Sequence, residues 1–141
     1  AWAWTALLMM SLWGVGPAVV IYLAGLRDVP KQLHEAASLD GVGSWGRFVH
    51  VTLPMISPVI LFNVVIGIIN AAQVFVVPLV MTGGGPGRST YFFAMYVYDQ
   101  AFQYGDMGYA SVLGLVQFAA ILVLTGLVLL LGQRFVYYRG A

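Results

Sequence analysis

The charged residues of this chain fall in blocks, and the spaces between them limit what it can fold into. The 6 Lys/Arg and 5 Asp/Glu side chains leave three stretches with no charge at all, residues 1–26, 48–87 and 107–133. These run to 26, 40 and 27 residues, whereas about 20 apolar residues suffice for a helix to cross the hydrocarbon core of a bilayer. Within lipid the backbone must satisfy its own hydrogen bonds, which a helix does inside a single segment. The expected fold is therefore all-α and integral to a membrane, with spans near 2–26, 55–81 and 109–131. Charged residues make up only 8% of the chain, against about 25% in an ordinary soluble domain. A net charge of +1 without a basic patch excludes nucleic acid as a partner, because binding it requires many phosphates to be neutralised.

The side-chain inventory excludes further chemistry. The chain has no cysteine and only two histidines, His34 and His50, so neither a disulfide framework nor a thiolate or His-rich metal site is expected. No GxxxxGK[ST] stretch is present, so the chain does not hold ATP in a P-loop. No cofactor or metal is expected. The sequence starts at Ala1 inside an apolar window, which reads as the C-terminal part of a longer protein. No positive region precedes that window, so it is not a signal peptide.

Lys and Arg set the orientation. Arg27, Lys31 and Arg47 lie in the 27–54 loop, Arg134 and Arg139 in the tail, and only Arg88 in the 82–108 loop. The first loop and the C-terminal tail, 132–141, are thus expected on the cytoplasmic side and the 82–108 loop outside. Trp2, Trp4, Tyr137 and Tyr138 suit membrane interfaces.

The 27–54 loop reads as two short helices. Asp28 can cap the first, Pro30 suits its first turn, and Lys31–Asp40 follow as helix formers. Gly41 sits where a helix ends on a residue with positive φ. Ser44 can cap a second helix through about Val51, Pro54 stops it and opens the second span, and Pro58 falls in that span's first turn. The outer loop begins Thr82-Gly83-Gly84-Gly85-Pro86-Gly87, which cannot continue a helix. Ser89–Tyr104 then reads as an interfacial helix too short to span. Its seven aromatics, Tyr91, Phe92, Phe93, Tyr96, Tyr98, Phe102 and Tyr104, suit either a membrane-interface belt or a surface that meets a soluble partner or gates a cavity.

Two motifs carry a resemblance. Glu35-Ala36-Ala37-Ser38-Leu39-Asp40-Gly41, followed by Phe48, Leu53-Pro54 and Pro58, resembles the EAA loop of ABC importer permeases. It is most similar to the sugar-permease branch of maltose and glycerol-phosphate type, with the form EAAxxDGAxxxxxFxxIxLPxxxP. Val42 replaces the usual Ala and Val51 the usual Ile. Thr82-Gly83-Gly84-Gly85-Pro86 resembles a loop that marks one member of the paired permeases in this branch. The resemblance covers nearly the whole chain, as the C-terminal half of a six-span transmembrane domain of a type I importer.

The resemblance implies a permease subunit of an ATP-driven, binding-protein-dependent sugar importer in a bacterial or archaeal inner membrane. It would pair with a second, related permease, with two ABC ATPase subunits below and a solute-binding protein outside. ATP hydrolysis would belong to a partner, so this chain is expected to be non-enzymatic. Glu35, Ala36, Ala37, Asp40, Gly41, Phe48, Leu53 and Pro54 would couple it to the ATPase. The residue types suit a coupling element. Two alanines allow close approach, Glu35 and Asp40 offer charge-assisted hydrogen bonds at the rim, and the prolines stiffen the join to the next span.

In such permeases the spans on either side of this loop line the substrate cavity. Trp13 and Gly14 lie near the middle of the first span, in a stretch that two glycines and a proline weaken; the indole can stack on a sugar or simply pack. Asn63, Gly67 and Asn70 fall on one side of the second span, with Gln73 further round. Amides suit hydroxyl-rich ligands but also join helices. The expected substrate path is Trp13, Gly14, Gly67, Asn70 and Gln73, with Asn63 weaker and Gln117 structural. No spanning stretch carries a carboxylate, Lys or Arg, whereas an ion-coupled carrier normally needs one. An intramembrane enzyme lacks the residues it would need. A structural or channel-forming protein explains the hydropathy but not the two motifs. A polyol or glycerol phosphate remains an alternative substrate, although a phosphate would favour a cation near the cavity.

Overall fold

The computed structural model describes residues 2–134 and 136, and every regular element among them is helical. Tyr137, Tyr138 and Arg139 of the expected cytoplasmic tail lie outside the described residues. The α-helices are α1 (Trp2–Trp13), α2 (Gly16–Arg27), α3 (Lys31–Leu39), α4 (Ser44–Arg47), α5 (Leu53–Met55), α6 (Ser57–Ala72), α7 (Val76–Thr82), α8 (Phe93–Tyr98) and α9 (Met107–Gly132). A π-helical turn follows α4 at Phe48–Thr52, and another follows α8 at Asp99–Gln103. The chain divides into two compact units: residues up to 14 with 67–127, and residues 15–66 with those from 128 onward.

Among the described residues α9, with 26 residues, is the one single helix long and apolar enough to cross a membrane. Two helix pairs reach that length only when each is counted across its break: α1 with α2, and Ser44–Met55 with α6. The stretch expected as the first span is thus two helices. Residues 55–81 are not one helix either, because α6 ends at Ala72 and α7 begins at Val76. Pro78 explains that break: its ring would meet the carbonyl of Val74 in a continuing helix and it has no N–H to donate. In the first turn of a new helix the missing donor costs nothing, because first-turn N–H groups have no partner within the helix.

The unit holding 15–66 packs at close approaches. A Cβ on Gly25 of α2 would lie 2.8 Å from Val59 Cγ2 of α6, and one on Gly132 of α9 would lie 2.5 Å from Leu61 Cδ1. Glycine there lets α2 and the end of α9 come against α6. Among its described residues Val29, Thr52 and Ile56 are buried. At Ile56 the helix direction turns by 65° between Ser44–Met55 and α6. Pro58 forbids straight continuation over the carbonyl of Pro54, and the hydroxyl of Ser57 donates to that carbonyl at 2.6 Å.

The loop helices depart from the sequence expectation at their starts. Asp28 closes α2, with its N–H on the Ala24 carbonyl, and Pro30 takes the N-cap position of α3. Ser44 is the first residue of α4 behind Gly43, with no side-chain cap. The second loop helix does not end at Pro54. The π turn opens the backbone ahead of it, with Leu53 N–H reaching the Phe48 carbonyl, and α5 carries the chain through the proline.

In the other unit, Met95, Thr90, Pro78, Ala101 and Ala110 are buried. Trp4 of α1 meets Phe92 edge-on, with ring centroids 5.8 Å apart. Residues 89–92 are not helical; the expected outer helix is only α8 and the π turn after it. Asp106 caps α9, its Oδ1 accepting from Tyr109 N–H at 2.9 Å.

Candidate functional site

The 35–54 loop is built from its helix ends. Val42 N–H donates to the Ala37 carbonyl at 3.0 Å and Gly41 N–H to Ser38 at 3.2 Å, with Gly41 at φ +77°. That double closure is the Schellman termination, and it needs a residue free to enter the left-handed region. Serving the Ala37 and Ser38 carbonyls at the turn keeps the preceding helix rigid. Glu35, Ala36, Asp40 and Gly41 are exposed and Ala37 is half-buried. Leu39 is 88% and Trp45 76% exposed, and Trp45 stacks on Phe48 at 5.8 Å. The loop therefore offers small residues, carboxylates and bare apolar side chains on one short segment. Leu53 and Pro54 line an open apolar pocket of about 420 Å³ with α6 and Gly132, so the exit of the loop lies against the helices it feeds.

Trp13, Gly14, Gly67, Asn70 and Gln73 all belong to the other unit, and all five are exposed. Trp13 ends α1 at 94% exposure. Gly14 is in the break that follows, its N–H on the Ser11 carbonyl at 3.1 Å. Asn70 is in the last turn of α6 and Gln73 in the break before α7. Gly14 also lines an apolar cavity of about 380 Å³ with Trp4, Leu8, Val74, Pro78 and Phe92, which the other four do not reach.

Hydrogen bonding separates the amides. Asn63 Nδ2 donates to the Val59 carbonyl of its own helix at 3.0 Å. Gln117 Nε2 donates to the Ala72 carbonyl at 2.8 Å, an acceptor left open because α6 stops there. Both are occupied structurally. The side chains of Asn70 and Gln73 bond to no group among the described residues. Free amides in an apolar setting cost several kcal/mol unless something satisfies them (about 2–7 by transfer scales).

The glycine loop is a turn closed by hydroxyl hydrogen bonds. The hydroxyls of Thr82 and Thr90 meet at 2.7 Å, with the Pro78 carbonyl 2.8 Å from one and the Gly85 carbonyl 2.8 Å from the other. Two protons serve three contacts, so the pair donates in relay toward one end. Thr90 is only 1% exposed. Gly84 is buried at φ +83°, and a Cβ there would stand 2.8 Å from Tyr91 Cδ2. Gly85–Pro86 is cis, and Gly83 and Gly87 have positive φ. The Tyr91 hydroxyl donates to Asp99 Oδ2, and Arg88 stands 5.4 Å over the Tyr91 ring. Burial first, then the bond to Asp99, push the Tyr91 hydroxyl up to about 12.

The Gln117 bond, the Thr82–Thr90 pair and the Tyr91–Asp99 bond were not foreseen in the sequence. Two threonines bracketing four glycines were the available signal for the second. The other two join segments the sequence does not align.

Helices broken next to exposed amides are a feature of membrane transport proteins. The chain belongs to the family of inner-membrane components of binding-protein-dependent transport systems, whose model matches residues 1–137. It is similar to the sulfoquinovosyl glycerol transport system permease protein of Agrobacterium fabrum, 39% identical over 129 residues that cover 91% of this chain and 42% of the relative. The trehalose/maltose transport system permease protein of Thermococcus litoralis is 33% identical over 132 residues, 93% of this chain and 44% of the relative. The lactose transport system permease protein of Rhizobium radiobacter is 35% identical over 128 residues, 88% and 43% respectively. The chain spans about two fifths of the length of these curated relatives.

Proposed function

We propose that this chain is part of a membrane-spanning permease subunit of an ATP-driven, binding-protein-dependent sugar importer in a bacterial or archaeal inner membrane. The observation that carries this is the loop at 35–54: its Gly41 termination and exposed Ala36, Leu39 and Trp45 form a rigid knob beside two carboxylates. In this reading Glu35, Ala36, Ala37, Asp40, Gly41 and Phe48 dock on an ATPase subunit in the cytoplasm, and Leu53 and Pro54 pass its movement to α6. The ATPase hydrolyses ATP; this chain needs no cofactor of its own. Two ATPases serve a pair of permeases, this one and a related partner, and an extracytoplasmic solute-binding protein delivers the ligand near the glycine loop, Gly83 to Pro86. The chain crosses the membrane three times, with its C-terminus in the cytoplasm and lipid around its apolar faces.

The substrate is a sugar, because three relatives are named for transport of glycosides or disaccharides. Trp13, Gly14, Gly67, Asn70 and Gln73 line its path; the exposed, unengaged amides of Asn70 and Gln73 support this, since hydroxyls would satisfy them. The test is to purify the complete complex and screen sugars for binding-protein-dependent stimulation of ATP hydrolysis. Copurification of an ATPase and stimulation by a subset of sugars are expected. Absence of an ATPase from the complex would sink the proposal.

A further inference from the structure

Three aromatic rings have no part in that reading. Phe75 closes the break after α6, Tyr98 ends α8, and Phe102 lies in the following π turn. Their rings stand in file: Phe75 to Tyr98 at 5.2 Å and 47°, Tyr98 to Phe102 at 4.9 Å and 36°. The file opens progressively, from half-buried Phe75 to Phe102 at 66% exposure. Glutamines adjoin both ends in the sequence. Gln73 precedes Phe75 by two residues, and Gln103 follows Phe102; both are exposed and neither side chain bonds within the described residues. Interface aromatics need only share a depth. These instead come from two separate chain segments, and Tyr98 joins Phe75 at a helix break to Phe102.

Ring faces flanked by amides are suited to a saccharide, whose C–H face takes aromatic contact and whose hydroxyls take amide bonds. We propose that Phe75, Tyr98 and Phe102 form a stacking ladder that receives a saccharide ring on its way to Asn70 and Gln73. This subsite lies beyond the path assigned above and rests on the sugar-importer reading.

The complete transporter with its binding protein, reconstituted in proteoliposomes, tests it with radiolabelled trehalose, maltose and lactose. Phe102→Leu and Tyr98→Leu should each raise KM for uptake about three- to tenfold, the range that aromatic contacts supply, while Phe102→Trp should stay close to wild type. Leucine preserves apolar packing and membrane anchoring, so a merely structural ring would tolerate it. Unchanged KM in both leucine variants, or a loss that Phe102→Trp shares, overturns the ladder alone. Failure of the wild type to import any of the three, or any sugar that stimulates its ATP hydrolysis, overturns the sugar reading and the ladder with it.

Discussion

Gly41 is the residue on which the 35–54 loop turns. At φ +77° any other L-residue pays about 1–2 kcal/mol, and a β-branched one fits worst. Gly41→Val should therefore abolish uptake while membrane insertion, followed by protease protection, stays normal; Glu35→Lys should do the same through charge reversal at the exposed rim. Tyr91 makes a different prediction. Its hydroxyl, held protonated by burial and Asp99, has a pKa of about 12 against 10.0 for the free side chain. A folded-state pKa above the unfolded one contributes stability that is complete below pH 10 and is lost as pH rises through 12. The phenolate absorbance of Tyr91, read as the difference between wild type and Tyr91→Phe, should appear only near the top of that range. Asp99→Asn should bring it lower. The glycine at 41 was legible because αL termination has a residue signature. The Tyr91–Asp99 bond was not, because nothing in the spacing of two exposed-looking polar residues says that they will meet, half-buried, in one hydrogen bond.

At the scale of elements, prolines and helix ends decide the layout. The long window 48–87 contains Pro54, Pro58, Pro78 and Pro86. Hydropathy treats it as one crossing, but the backbone treats it as a π turn, a 65° bend, a helix, a break and a second helix. Each proline removes a donor and crowds the carbonyl four residues earlier, so each needs a remedy. The remedies are local: Ser57 serves the carbonyl of Pro54, and the turn at 48–52 lengthens the hydrogen-bonded ring ahead of it. The break after Ala72 is remedied from further away, by Gln117 of α9. Gln117→Leu leaves the Ala72 carbonyl without that donor, and should lower stability by about 1–3 kcal/mol, read as a fall in the thermal midpoint of the detergent-solubilised protein. Gly25→Val should be destabilising by about 1–3 kcal/mol through overpacking, since Val59 already fills the space where its Cβ would sit.

Across the whole molecule, the candidate coupling residues fall in one compact unit, and the candidate substrate residues and glycine loop in the other. Few large apolar side chains are buried among the described residues, so lipid and neighbouring protein must cover most of the rest. In that setting Asn70 and Gln73, whose amides bond to nothing among the described residues, are expensive unless they meet a polar ligand or partner. Asn70→Leu with Gln73→Leu should lower sugar uptake at least tenfold and leave insertion intact; uptake equal to wild type would remove both from the path. The sequence by itself determined that the chain is helical and belongs in a membrane, because eleven charges can be arranged to leave three apolar windows in only one kind of environment. It also determined the family, through motif residues whose spacing is written in one dimension. Only the tertiary structure decided where the helices stop, and which amides find a partner among the described residues. Asn63, Asn70, Gln73 and Gln117 offer the same chemical groups in the sequence. What distinguishes them is whether a carbonyl lies within reach, and that depends on breaks and on helices that meet from distant parts of the chain.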